Sequence, residues 1–160
     1  MLLHDTMVRK ILLLVLLLPL LLFAACSYGY EFVVANKSAG PIEVRYQLKR
    51  WTPETPGKFV DLHPPAKLTE GEFQKSEHQW REVPKEQFAF DNLTGTYTVT
   101  LAPDEVLLLQ RTSNYQGIEN QFYFARIKIS GSKGTIDLEG WQAQTQFKIE
   151  SDTKYVIRYR

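Results

Sequence analysis

Apolar and polar residues alternate along much of the chain after Cys26, and this period of two is typical of β-strands with one buried face. The clearest segment is IEVRYQLK at 42–49, where every second residue is apolar and the others are charged or amide side chains. A helix would scatter these apolar residues around its circumference. Phe32 and Val34 alternate in the same way, just before the turn-forming residues 36–41.

Further strand candidates follow at short intervals, separated by glycine, proline and asparagine. They are residues 79–83, 96–101, 106–110, 121–129, 135–138, 145–149 and 154–160. No ten-residue segment carries a helical stripe. VTLAPDEVLLL at 99–109 resembles the strand–turn–strand unit of bacterial immunoglobulin-like sandwiches. The predicted fold is therefore all-β: a single antiparallel β-sandwich over residues 30–160, immunoglobulin-like in the loose sense, after an N-terminal signal helix.

Residues 51–77 depart from this pattern. They contain four prolines, at positions 53, 56, 64 and 65. Proline at this density excludes a central strand or a helix interior, so we expect a long loop with at most a short strand at 58–62. Long loops in compact domains are often functional.

The first 25 residues have the composition of an export signal. An uninterrupted apolar run extends from Ile11 to Ala25, and two basic residues precede it. The run is short for a membrane span, which takes about 20 apolar residues, and Pro19 lies in its middle. We predict a signal peptide over residues 1–25, and the cleaner start MVRK indicates that translation begins at Met7.

FAAC at 23–26 resembles the lipobox of bacterial lipoproteins, in which a small residue precedes an obligatory cysteine. The resemblance implies cleavage by signal peptidase II between Ala25 and Cys26, with fatty acyl chains on the thiol and the new amino group of Cys26. Residues 26–29 are then the lipidated cysteine and a short tether to the membrane. Ser27 would favour the outer membrane of a Gram-negative cell. The alternatives are an ordinary secreted protein and a protein held in the membrane by its leader.

Charge and cysteine content narrow the function further. The chain has 19 basic and 18 acidic residues, a formal net charge of +1. Such a surface exerts no long-range attraction on nucleic acid, so no nucleic-acid partner is predicted. Cys26 is the only cysteine, and it therefore cannot form an internal disulfide.

Candidate catalytic and metal-binding residues are sparse. Asp61, His63 and His78 could supply three metal ligands, but they lie in or beside the proline-rich loop with no further histidine or cysteine. Three glutamates share this region: Glu70, Glu72 and Glu77. Solvated loop residues are the better interpretation of both groups. Because nucleophile elbows, P-loops and dinucleotide motifs are also missing from the sequence, we predict no catalytic residue, no metal and no cofactor.

Aromatic side chains make glycans a possible class of ligand. Four of them lie near strand ends or in an amide-rich loop and could stack on sugar rings: Trp51, Trp80, Tyr115 and Trp141. Core packing is the commoner role of such residues. A glycan-binding module predicts two exposed rings on one face. A partner-binding module predicts an apolar patch or an unprotected edge strand, and an enzyme predicts a cleft with convergent polar groups.

The leading prediction is a lipid-anchored, non-enzymatic envelope lipoprotein that binds or supports a protein partner. Its contact with the membrane is through the N-terminal lipid on Cys26. A cell-surface glycan-binding module is the alternative, and an enzyme of unrecognised type is the third possibility, since sandwiches host all three.

Overall fold

A computed structural model describes residues 29–49, 64–113, 123–151 and 153–160. The predicted signal peptide lies outside these residues, as do Met7, Ala25, Cys26 and the predicted short strand at 58–62. Within the described ranges, no helix has both the length and the apolar character needed to cross a bilayer.

The described residues form eleven strands joined by short helices and turns. The strands are β1 (Gly29–Asn36), β2 (Ile42–Leu48), β3 (Ala66–Thr69), β4 (Arg81–Glu82), β5 (Phe88–Asp91), β6 (Thr96–Leu101), β7 (Glu105–Ser113), β8 (Phe124–Gly131), β9 (Gly134–Glu139), β10 (Lys148–Ser151) and β11 (Lys154–Tyr159). The helices are α1 (Glu70–Phe73) and α2 (Trp141–Gln146), and a 3₁₀ turn spans Lys85–Gln87.

The strands build two packed sheets, which confirms the predicted all-β sandwich. The first sheet has the order β10–β11–β1–β7–β3–β4, and the second has the order β5–β6–β2–β8–β9. Every pair is antiparallel except β1 and β11, which run parallel. The first and last strands of the sandwich are therefore neighbours near the middle of the first sheet.

The main core lies between the sheets. Phe32 and Val34 of β1 meet Val44 and Tyr46 of β2 there, as the alternation predicted. Strand β1 is also buried on its outer face, which the alternation did not predict. A second apolar cluster covers that face and consists of Val33, Ala35, Phe73, Val106 and Val156. Helix α1 and the segment that follows it thus form a partial third layer on the first sheet.

The predicted loop at 51–77 is wrong over its described part, because β3 and α1 lie within it. A capping box begins the helix: the Thr69 side chain accepts from the Glu72 N–H, and the Glu72 carboxylate accepts from the Thr69 N–H. Arg81 of β4 also binds the Glu72 carboxylate at 2.7 Å. The four prolines precede β3 in the sequence, so none of them lies within the strand.

Three further predictions about strands need correction. Residues 145–149 are not one strand, because α2 continues to Gln146 and β10 begins at Lys148. The strand expected at 79–83 is reduced to the two residues of β4. Strand β5, with the sequence FAFD, was not predicted; it is only four residues long and lies at a sheet edge.

The sandwich has two distinguishable ends. At the lower end, Gly29 pairs with Ser113 and Leu48 pairs with Phe124. At the upper end, the Asn36 side chain donates to the Leu101 carbonyl at 3.0 Å and so links the two sheets. The chain therefore enters the sandwich at its lower end.

Candidate functional site

A buried carboxylate lies near the lower end of β1. Glu31 is 6% exposed, and its Oε1 accepts hydrogen bonds from Trp80 Nε1 at 2.9 Å and from Arg111 Nη2 at 2.6 Å. Its Oε2 lies 3.1 Å from His78 Nε2. We call these four residues the Glu31 cluster.

Sheet register and one extended segment bring the cluster together. Glu31 and Arg111 are direct partners in the β1–β7 ladder, so their side chains share the outer face of the first sheet. His78 and Trp80 come from the segment between α1 and β4, and their rings contact each other at 5.5 Å. Both rings also pack against Phe73, at 5.7 and 6.0 Å. The cluster therefore fastens this segment to the sheet.

Lys154 completes the attachment from the other side of β1. It is the partner of Glu31 in the β1–β11 ladder, but its ammonium group donates to the Phe73 carbonyl at 2.5 Å. The same group lies 4.4 Å from the centroid of the Phe73 ring. Lys154 thus satisfies a carbonyl group at the end of α1, where the helix leaves its carbonyls without internal partners.

The electrostatics of the cluster keep Glu31 ionised. Burial alone would raise its pKa, but the hydrogen bonds from Trp80 and Arg111 and the electrostatic interactions with His78 and Arg111 outweigh burial, so the pKa is lowered. Both ring nitrogens of His78 also face acceptors, because Nδ1 lies 3.4 Å from the Lys75 carbonyl. The polar atoms of the Glu31 cluster form hydrogen bonds with one another. A general base, in contrast, must lie within reach of a substrate proton.

A groove of about 1230 Å³ opens at the lower end of the described residues, and residues of both sheets line it. The Glu31 cluster lies on one side of it, and Tyr46, Tyr97 and Phe124 of the second sheet lie on the other. Gln110 of β7 also lines the groove and accepts a hydrogen bond from the Tyr123 backbone at 3.2 Å. The enzyme hypothesis requires polar groups that converge on a substrate, whereas the polar groups of the Glu31 cluster bind one another.

The four aromatic residues predicted as ligand contacts do not form a common platform in the described residues. Trp80 is partly buried, and its N–H is bound to Glu31. Trp141 is the first residue of α2, and only its backbone is described. Trp51 and Tyr115 lie outside the described residues.

Only one of the three metal-ligand candidates lies in the described residues. His78 belongs to the Glu31 cluster, whereas Asp61 and His63 lie outside the described residues. Across the four described ranges, no three histidine, cysteine or acidic residues are placed to hold a metal ion.

The three glutamates of the predicted loop do not converge on one site. Glu70 pairs with Arg158 at 2.9 Å, and Glu77 is exposed. Glu72 belongs to the capping box, where hydrogen bonds from Arg81 and then Thr69 lower its pKa to about 2. Each of these carboxylates therefore has its own local surroundings.

A second candidate site is the edge of the second sheet formed by β9. Among the described residues the two sheets have four edge strands, of which β4 has two residues, β5 has four, and β10 has four with a register shift between Ile149 and Ser151. Strand β9 has six residues in unbroken register with β8, without a bulge or proline. Long regular edges of this kind can pair with another strand.

The backbone of β9 presents alternate residues to the outside. The Gly140 N–H donates to the Ala125 carbonyl at 2.8 Å. Because ladder bonds alternate along an antiparallel pair, residues 134, 136 and 138 also bond to β8. The N–H and C=O groups of Thr135, Asp137 and Glu139 therefore point away from the sheet.

The two faces of β9 differ in chemistry. On the outer face, Arg126 of β8 pairs with Asp137 at 2.6 Å and with Glu139 at 3.3 Å. On the inner face, Leu138 is buried in the core and Ile136 packs against it. A strand added beside β9 would therefore meet, on the outer side, carboxylates that are paired with Arg126 and, on the inner side, apolar side chains.

Sequence analysis missed Glu31, Arg111 and the position of β9. A charged residue in the otherwise apolar stretch GYEFVVAN was the only available signal for Glu31. Strand position within a sheet has no local signal.

In comparisons with known proteins, no family model, curated protein or solved structure matches the chain. The functional evidence therefore comes from the sequence and from the described surfaces of the sandwich.

Proposed function

We propose that this protein is an exported, lipid-anchored envelope protein that binds a protein partner at β9 without catalysis. Cys26 is the lipidated first residue of its mature form. The lipobox resemblance at FAAC supports the anchor. The regular six-residue edge of β9 is the observation that supports the partner.

The proposed partner supplies an extended segment that pairs with β9. Main-chain hydrogen bonds to Thr135, Asp137 and Glu139 give affinity, and alternate side chains give selectivity. Apolar side chains of the partner extend the core beside Ile136 and Leu138. Basic side chains on the other face meet the carboxylates of the outer side of β9.

The anchor keeps this edge close to the membrane. Two residues, 27 and 28, separate Cys26 from Gly29 at the start of β1, and the three Cα–Cα steps from Cys26 to Gly29 span at most about 10 Å. The partner is therefore a protein of the same envelope compartment. Two or more acyl chains hold such a protein stably where one does not.

Mass spectrometry of the membrane fraction tests the anchor. The intact mass should correspond to cleavage before Cys26 plus acyl chains, and Cys26→Ser should give an uncleaved or soluble form. A mature protein that keeps residues before Cys26, or that carries no lipid, would contradict the proposal.

Site-specific photocrosslinking in cells tests the partner. A photoreactive residue at Glu139 should give a discrete crosslinked product. The same residue at Thr98, in β6 on the outer face of the same sheet, is the matched control and should give none.

Thr135→Pro in the Glu139 crosslinking background provides the specific test. This change removes an outward N–H but leaves the ladder with β8 intact, because residues 134 and 136 form that ladder. The crosslinked product should then be lost. An undiminished product, or equal products from positions 139 and 98, would rule out strand addition at β9.

The glycan-binding alternative gains no support from the described residues. Of its four candidate aromatics, only Trp80 has a described side chain, and that side chain packs against Phe73 and binds Glu31.

A further inference from the structure

Two large apolar side chains are strongly exposed in the described residues: Leu93 at 79% and Ile149 at 68%. Single exposed apolar residues are common and need no explanation by themselves. Ile149 lies in β10, an edge strand whose four residues are all exposed. Leu93 differs, because it lies in a turn that is fixed by hydrogen bonds.

The turn between β5 and β6 holds Leu93 in an outward position. Asp91 accepts hydrogen bonds from the Leu93 N–H at 2.9 Å and from the Thr94 hydroxyl at 2.7 Å. Gln47 of β2 donates to the Thr94 carbonyl at 3.1 Å. Gly95 has a φ of 64°, which favours glycine. The backbone is therefore held on both sides of Leu93.

This turn lies at the lower end of the sandwich. The Leu48 N–H donates to the Gly95 carbonyl at 3.0 Å, so the turn is beside the last residue of β2. The hydrogen bond between Asn36 and Leu101 marks the upper end of both strands. Counted from there toward the lower end, β1 extends seven residues to Gly29, and β6 extends five residues to Thr96.

The level of the turn follows from those lengths. At about 3.3 Å per residue, β1 extends roughly 23 Å from that level and β6 extends roughly 17 Å. The turn that holds Leu93 lies beyond the end of β6. Leu93 therefore reaches about the level of Gly29, where the chain leads to Cys26.

We propose that the β5–β6 turn contacts the bilayer surface, with Leu93 in the headgroup region beside the lipid anchor. This inference rests on the proposed lipidation of Cys26. The two residues between Cys26 and Gly29 hold the lower end within about 10 Å of the headgroups. Interfacial apolar groups lie about 5–10 Å into the boundary between headgroups and acyl chains, which is within reach of an exposed leucine at that end.

A lipid surface fits this position better than a protein partner does. A partner docked on Leu93 would have to occupy the narrow space between the sandwich and the membrane. Contact at both the anchor and the turn also limits rotation of the domain about its short tether. The edge of β9 then keeps one orientation relative to the membrane.

Fluorescence quenching in vesicles tests the contact. Two variants, Leu93→Cys and Lys133→Cys, each carry one environment-sensitive fluorophore. Lys133 is the matched control because it is an exposed turn residue at the upper end, where its N–H binds the Tyr159 hydroxyl. The lipidated Cys26 thiol does not react, so each label has a single position.

The full lipidated protein is reconstituted in vesicles of phosphatidylethanolamine and phosphatidylglycerol that contain a headgroup-linked spin label as quencher. The label at position 93 should show blue-shifted emission and lose most of it to the quencher. The label at position 133 should remain close to unquenched. Leu93 is too exposed for the cysteine variant to leave a cavity, so folding is retained.

The outcomes separate this inference from the proposed function. Equal quenching at the two positions, or the reverse order, in protein whose mass shows acyl chains overturns the turn contact alone. Blue-shifted emission at position 93 without quenching would indicate a protein neighbour and also overturns it. A mass without acyl chains overturns the anchor and the inference that rests on it.

Discussion

Glu31→Gln is the most informative single change in this protein, because it removes a charge while nearly preserving the size of the side chain. The amide retains one oxygen acceptor but turns N–H donors toward groups that are themselves donors. Trp80 and His78 then lose the carboxylate that fastens their segment to β1. We expect the variant to fold with a clearly lower free energy of unfolding.

The size of the loss follows from how exposed each partner is. A hydrogen bond to a charged group contributes about 1.5–3 kcal/mol. The Arg111 side chain is 55% exposed, so water replaces the carboxylate there and its share falls to about 0–1 kcal/mol. The His78 side chain is only 8% exposed, and it has no such compensation. The expected loss is about 2–4 kcal/mol, a large fraction of the stability of a typical domain.

Urea unfolding followed by tryptophan fluorescence and circular dichroism measures this loss. Glu43→Gln is the matched control, because Glu43 is an exposed glutamate paired with Arg45 at 2.7 Å. An exposed pair of this kind contributes about 0–1 kcal/mol. If the two variants lost equal stability, the Glu31 cluster would have no special role in holding the outer layer.

The difference between the wild type and Glu31→Gln should also depend on pH. Folding lowers the pKa of Glu31, so its charge contributes stability that is present above the carboxyl pKa of the unfolded chain. That contribution is lost as the pH falls through the pKa of Glu31 in the folded protein. The gap between the two unfolding free energies should therefore shrink toward acid pH. A gap that stays constant or widens would contradict the lowered pKa.

Two further changes test the packing of β11 and of the upper end. Stopping the chain after Thr153 removes three buried side chains of β11, Val156, Ile157 and Tyr159. At about 1.5–3 kcal/mol each this costs about 4–9 kcal/mol, so the product should be unfolded; a melting temperature within a few degrees of the full-length value would contradict this. Gly131→Ala places a Cβ 2.9 Å from Ile42 and from the Tyr159 ring, so thermal melting should show a loss of about 1–3 kcal/mol. Gly40→Ala meets no atom within 4 Å and should be nearly neutral; equal losses would contradict the overpacking.

Strands whose two faces differ could be predicted from the sequence. In β2 and β6, each residue's exposure follows from its own place in a two-residue period, and the observed burial alternates along both strands. The same reasoning predicted the strand at the C-terminal end, which the structure confirms as β11.

Strand β1 shows where this reasoning stops. Its outer residues Val33 and Ala35 are buried because Phe73, some 40 positions later, packs over them. No local pattern reports contact with so distant a segment. The TEGE motif at 69–72 did carry a local signal, since a threonine three residues before a glutamate is a capping box. The surrounding prolines and charged residues instead favoured the interpretation of this stretch as a loop.

The two candidate sites differ in how far local sequence could reveal them. Glu31 is visible as a charge in an apolar strand, and that oddity predicts a buried partner, although it does not identify Trp80, His78 or Arg111. Strand β9 was predicted at nearly its observed bounds, yet the same alternation would suit a central strand. Its role depends on being the last strand of its sheet among the described residues, and strand order is decided by pairing between distant segments. The feature that supports partner binding is therefore the absence of a neighbour along one edge of a described sheet, and residues 134–139 cannot encode that absence by themselves.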